Sequence, residues 1–162
     1  MKRGIAIIVI LVGVLFTSGI VIGGKGENLY SQDFTLKMAN GEDMNLSDLS
    51  GNPAVVFFYN SRCGCRPYRE LINRTYLFYK DSGLQVVGVG IRENPETFFK
   101  FAKDEGFSFT SGFDATREIE KNCRIYRVPV TLFVNREGKI IRKTKGYLKE
   151  DEIKAEIEEL IS

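Results

Sequence analysis

The chain has 162 residues, with 23 basic and 21 acidic side chains, a formal net charge of +2 and no histidine. The lack of histidine excludes Ser–His–Asp and Cys–His catalysis, and any His-ligated zinc or copper centre, within this chain. With Lys2 and Arg3 set aside, 21 basic residues balance 21 acidic ones, and this neutrality argues against a nucleic-acid partner.

The first segment, "MKRGIAIIVILVGVLFTSGIVIGG", carries Lys2 and Arg3 and then runs uncharged from Ile5 to Ile22. Eighteen residues at about 1.5 Å rise span roughly 27 Å, close to the ~30 Å hydrocarbon thickness. Residues 1–24 are therefore expected to be a transmembrane signal-anchor, with the basic end cytoplasmic and the remainder outside the cell membrane. A cleaved signal peptide is the alternative, but its apolar region usually spans only about 7–15 residues and ends at an A-x-A-like exit. No such exit is present. Either way the domain leaves the cytoplasm. About 138 residues follow, enough for one domain with a real core. Residues 25–32, "KGENLYSQ", read as a polar linker and 33–162 as the folded domain.

"DFTLKMANGEDMNLSDLSG" reads as a hairpin, alternating around Phe34 and Leu36, turning at Asn40-Gly41 and returning through Met44 and Leu46. Ser47 is expected to cap a single turn that Gly51 closes. "PAVVFFYN" (53–60) has the unbroken apolar character of a strand buried on both faces. A helix is predicted from about Cys65 to Lys80, with Leu71, Ile72, Thr75, Tyr76 and Tyr79 at helical spacing. "LQVVGVGI" (84–91) is a second buried strand. Asn94-Pro95 starts a helix that Gly106 ends, and Asp114 is expected to cap another over 115–126. "VPVTLFV" (128–134) and "KIIRKTKG" (139–146) form a strand pair, and an amphipathic helix closes the chain. The order βαβαβ-β-α gives an α/β mixed central sheet flanked by helices.

Two of the three cysteines lie in "YNSRCGCRPYREL", Cys63 and Cys65, separated by Gly64. Three are too few for a disulfide scaffold, and an odd count leaves at least one without a partner inside the chain. An oxidising compartment still permits one redox-active pair.

The stretch from Asp33 to Cys63, the strand "GLQVVGVGI" and the closing half from Phe113 to Ile153 together resemble the redoxin domains of the AhpC/TSA superfamily. They are most similar to the membrane-tethered thiol–disulfide oxidoreductases of the TlpA/ResA type. The resemblance implies a thioredoxin-like fold with an N-terminal β-hairpin extension. That family carries Trp-Cys-x-x-Cys at the mouth of its first helix; here Arg62 takes the tryptophan position and the spacing is Cys-Gly-Cys. Counting back from Cys63 and forward from Cys65, both flanks match if one residue is missing between the sulfurs. By resemblance, then, Cys63 is the nucleophile and Cys65 the resolving thiol. Val128-Pro129 matches the family's cis-proline, which helps bind a substrate peptide. No bound cofactor or metal is implied. The implied partners are exported cysteine-containing proteins, apocytochromes among them, and a membrane protein that passes thiol electrons across the bilayer.

Thiol–disulfide exchange needs an exposed thiolate of lowered pKa. Cys63, between a buried strand and a helix N-terminus, meets free N–H groups and the positive end of the macrodipole. Arg62 and Arg66 are expected to stabilise the thiolate, with Arg69 adding positive charge. Residues two apart on a helix point about 200° away from each other, so the pair cannot bond while both are helical. Gly64 can adopt conformations closed to other residues and set Cys63 ahead of the helix, with Pro67 in the first turn. Three other uses of the site stand beside disulfide exchange. It can be a static bridge or relic on a binding protein, a two-thiolate Cu(I) site, or the centre of a peroxiredoxin-type thiol peroxidase. Copper-handling relatives use a histidine, which this chain lacks, and peroxiredoxins carry Thr or Ser where Asn60 precedes Cys63. Cys123 shares a predicted helix face with Ile119 and is expected to be buried and inert.

Overall fold

Phe34 is the first residue described in the computed structural model, which runs from there to Ser162. The expected anchor and linker lie outside the described residues, among which no helix is long and apolar enough to cross a membrane.

Leu36 and Met44 face each other across the antiparallel pair β1 (Thr35–Met38) and β2 (Asp43–Asn45), the hairpin that the alternation predicts. Gly41 takes φ +85° at its turn. The next turn, Leu46–Leu49, is a 3-10 turn flanked by Asn45 and not begun by Ser47 as expected. The cap shifts because the Asp48 carboxylate reaches back to accept the Asn45 N–H at 2.7 Å.

β3 (Ala54–Tyr59) is buried at every residue, as its unbroken apolar run requires. It lies parallel to β4 (Gln85–Gly90) on one side and antiparallel to β6 (Val130–Val134) on the other. The crossover from β3 to β4 is α1 (Arg66–Tyr79). From β4 the chain enters α2 (Pro95–Glu105), where Asn94 Oδ1 accepts the Thr97 N–H, and Gly106 ends the helix at φ +65°. β7 (Ile140–Lys145) pairs antiparallel with β6, and α4 (Glu150–Ile161) closes the chain.

Two further departures concern a strand and the helix that follows it. β5 (Thr110–Phe113) was not anticipated; it runs parallel to β4 and antiparallel to β1, joining the hairpin to the main sheet. At Gly112 of this strand a Cβ would come within 3.0 Å of Leu36 Cβ and Met38 Sδ. Glycine is what allows the two strands to approach. The second correction is the helix expected over 115–126, which shrinks to α3 (Glu118–Asn122). Arg117 at φ +61° and Arg124 at φ +45° break the helical backbone on both sides. Asp114 does not sit at the N-cap position, although its Oδ2 accepts the Glu120 N–H at 2.8 Å.

The seven-stranded mixed sheet has the order β2-β1-β5-β4-β3-β6-β7. Alternation along β3 divides the core between its faces. Val55, Phe57 and Tyr59 pack with Ile72 of α1, Phe98 of α2 and Ile153 of α4. Val56 and Phe58 pack on the other face with Leu36, Leu49, Ile119 and Cys123. The chain has a thioredoxin-like α/β fold, with the interior strand β3, between β4 and β6, leading directly into the cysteine pair.

Candidate active site

β3 reaches one end of the sheet at Tyr59, and α1 starts at Arg66; the loop between them carries both sulfurs. Its first residues are fixed by Glu93, whose carboxylate accepts the Ser61 N–H at 2.8 Å and the Ser61 hydroxyl at 2.5 Å. Asn60 Oδ1 accepts the Arg62 N–H at 3.2 Å, and its carbonyl accepts the Cys63 N–H at 3.3 Å. Gly64 then takes φ +61°, a left-handed conformation with open space around the missing Cβ. That residue turns the chain so that Cys63 and Cys65, with Cα atoms 5.2 Å apart, join in a disulfide. Cys65 occupies the N-cap position of α1, its carbonyl accepting the Tyr68 and Arg69 N–H groups. Cys65 is fully buried, whereas Cys63 is partly exposed and is the sulfur an incoming thiol can reach.

The three arginines near the pair are placed very differently. Arg62 is exposed, and Arg66 is exposed with its Nε on Glu70 Oε1 at 3.0 Å. Arg69 is only 3% exposed. Its Nη1 lies 3.4 Å from Cys63 Sγ and 3.5 Å from Cys65 Sγ, while Nη2 meets Glu105 Oε2 at 3.2 Å. The guanidinium carbon stands 4.8 Å from the Phe101 ring centroid and 5.8 Å from that of Tyr59. Burial pushes the Tyr59 hydroxyl up to about 12, so it stays neutral. Phe57, two residues before the end of β3, offers no carboxylate: its ring is fully buried and stacked on Tyr59. The carboxylates near the site come instead from Glu93 and Glu105, which no sequence motif marks.

Val130 pairs with Phe58, so the cis Val128–Pro129 bond lies at the same end of the sheet as the cysteine loop. Pro129 is buried and its carbonyl accepts the Gly146 N–H at 2.9 Å. Tyr68 joins the two halves of this end: its hydroxyl lies 3.0 Å from Thr131 Oγ1, and its ring takes the exposed Tyr147 edge-on.

The approach to Val128 is fixed from the segment between β4 and α2. Arg92 donates to Glu120 Oε1 at 2.7 Å, to the Tyr126 carbonyl at 2.6 Å and to the Ile125 carbonyl. Burial pushes the Glu120 carboxyl up, but hydrogen bonds and charge from Arg92 and Arg117 outweigh it and hold the group below its usual range. A carboxylate held low stabilises the fold above its unfolded pKa near 4.5, and this contribution is lost as pH falls through the folded value. At Asp114 burial acts the same way and prevails, so its pKa is raised and that group favours the fold as pH falls. Comparing parent and Glu120→Gln isolates the first effect. The variant is expected to be less stable by about 2 kcal/mol at pH 7, discounted for the partial exposure of both arginines. The gap should narrow below pH 4.5, read as urea midpoints at pH 7 and pH 3.5; a constant gap would contradict the assignment.

Cys123 is fully buried and belongs to the core on the sheet face opposite the one Cys63 packs against. Among the described residues, no group of three or more His, Cys, Asp or Glu side chains is placed to hold a metal ion.

Residues 30–143 match the AhpC/TSA family model. The chain is 27% identical over 137 residues to the thiol-disulfide oxidoreductase ResA of Bacillus subtilis, covering 82% of this chain and 76% of that protein. It is 32% identical over 108 residues to the chloroplastic peroxiredoxin Q of Populus jackii, covering 65% of this chain but only 49% of that protein. Among solved structures, a Chlorobium tepidum protein assigned as thiol:disulfide interchange protein DsbE superposes with a TM-score of 0.74 at 26% identity. It covers 81% of this chain and 94% of that one.

Proposed function

The chain belongs to the AhpC/TSA family, and from that premise we infer that it is an extracytoplasmic thiol–disulfide oxidoreductase working through Cys-Gly-Cys. The observation that carries this reading is the disulfide between a partly exposed Cys63 and a buried Cys65 at the start of α1. In the reducing direction, the Cys63 thiolate attacks one sulfur of a substrate disulfide, and the other substrate sulfur leaves as a thiolate. Cys65 then gives up its thiol proton and attacks Cys63 Sγ, the mixed disulfide breaks, and the second substrate sulfur departs as a thiolate that can take up a proton. Two electrons pass from the dithiol to the substrate, and Cys63–Cys65 is left oxidised.

Arg62 and Arg66 supply positive potential at the mouth of the site, and Val128 with Pro129 offers main-chain groups to the substrate peptide. Segment 1–24 anchors the domain to the cell membrane by a single span. Its substrates are exported cysteine-containing proteins, apocytochromes among them, and a membrane thiol-transfer protein returns the electrons. Support for these assignments comes from the apolar run of 5–22, the family's common design and the shared end of the sheet.

Cys65→Ser tests the reading. The variant should accumulate mixed disulfides through Cys63 with exported proteins, resolvable on non-reducing gels and absent from the Cys63→Ser/Cys65→Ser double variant. A static bridge predicts no captured species. A copper site predicts stoichiometric Cu(I) uptake, lost in either single variant.

A further inference from the structure

We propose that Arg69 is a catalytic residue of the exchange reaction, its guanidinium setting the proton affinity of Cys63, and that Glu105 limits how much positive charge the sulfur receives. The inference rests on the oxidoreductase reading above and adds to it a buried charge pair.

A buried cation is costly unless it is paired and hydrogen-bonded. Arg69 is 3% exposed, yet its one carboxylate partner among the described residues is Glu105, met by Nη2 at 3.2 Å. Nη1 faces the two sulfurs, and Nε has no hydrogen-bond partner among the described residues. A disulfide sulfur is neutral and a weak acceptor, so in the oxidised state the sulfur-facing edge of this guanidinium is poorly satisfied. Reduction changes that. The disulfide takes two electrons and one proton, giving a Cys65 thiol and a Cys63 thiolate that can accept a charge-assisted bond from Nη1. Arg69 therefore favours the reduced, ionised state.

The charges facing the pair come from every element packed around it. Glu105 belongs to the end of α2 and meets the guanidinium on the nitrogen that does not contact sulfur. Glu93, from the segment between β4 and α2, is engaged by Ser61. Tyr59 of β3 is neutral, and Arg62 and Arg66 are exposed to solvent, where their charge is screened. Phe101 and Tyr59 flank the Arg69 guanidinium and keep water from it, so its field at the sulfurs is screened least.

The test uses full-length protein in detergent, with Arg69→Met, Arg69→Lys and Glu105→Gln. Cys63 alkylation is followed against pH by mass spectrometry, and the dithiol is equilibrated with glutathione. Arg69→Met should raise the alkylation midpoint by about one pH unit and shift the equilibrium up to tenfold toward the disulfide, about 30 mV for a two-electron couple. Arg69→Lys should restore most of both. Glu105→Gln should move both in the opposite direction. A merely structural role for the pair predicts shifts of the same sign in the two neutralising variants, or none, and either result overturns the proposal. If Arg69→Met does not fold, Glu105→Gln alone must lower the midpoint, and an unmoved or raised one is equally decisive. A low parental midpoint that no variant changes sinks this inference only. A parental Cys63 with the ionisation of an ordinary thiol and no exchange with glutathione sinks the oxidoreductase reading as well.

Discussion

Replacing Cys63 with serine is expected to lower turnover of a disulfide substrate by roughly 10⁴-fold or more, the scale of losing a covalent nucleophile. A serine hydroxyl cannot form the mixed disulfide, and no other sulfur can take its place. Cys65 is fully buried, and Cys123 lies in the core on the far side of the sheet. Stability should change little by comparison. The disulfide closes a loop over a single residue, and chain entropy gives so short a loop only about 1.5 kcal/mol. Activity and folding are thus expected to separate: the serine variant keeps a cooperative unfolding transition and loses exchange. Cys123→Ala should retain exchange, because its sulfur takes no part in any step. Turnover that survives in Cys63→Ser, or disappears in a well-folded Cys123→Ala, would place the chemistry on a different sulfur.

The Cys63 loop also shows what the sequence makes legible. The apolar run of β3 and the Cys-Gly-Cys spacing point to a buried central strand entering a tight turn, and Gly64 takes the left-handed conformation that the spacing demands. Local signals were enough there because the constraint is local. Elsewhere they failed for identifiable reasons. The residues of β5 carry no such signal, because the purpose of Gly112, close approach to Leu36, exists only once β1 and β5 are paired. Periodicity extended α3 too far because it does not register the positive φ of Arg117 and Arg124. Arg69 was visible as one of three nearby cations but indistinguishable from the others by charge alone. Its position four residues after Cys65 was the available signal, since that spacing puts both on one helical face. Glu105 gave no signal at all. It lies 36 residues beyond Arg69, and only the docking of α2 beside α1 brings them together.

The largest loss of stability is expected from Phe98→Ala, about 3–5 kcal/mol, a substantial part of a domain's total of roughly 5–15 kcal/mol. Phe98 is fully buried, with ring centroids 5.1 Å from Tyr59, 5.5 Å from Phe99 and 5.7 Å from Phe113. It also lies flat against the backbone of β4: a Cβ added at Gly90 would stand 2.5 Å from Phe98 Cγ. The same contact therefore predicts that Gly90→Ala is destabilising, by roughly 1–3 kcal/mol of overpacking. The two losses should not add. Removing the ring leaves space that the new methyl group can occupy, so Gly90→Ala should cost much less in the Phe98→Ala background than in the parent. Urea unfolding of the four proteins in this cycle provides the measurement. Additive losses would mean that ring and backbone do not meet as described, and that Tyr59, which lies beside Arg69, is supported in some other way.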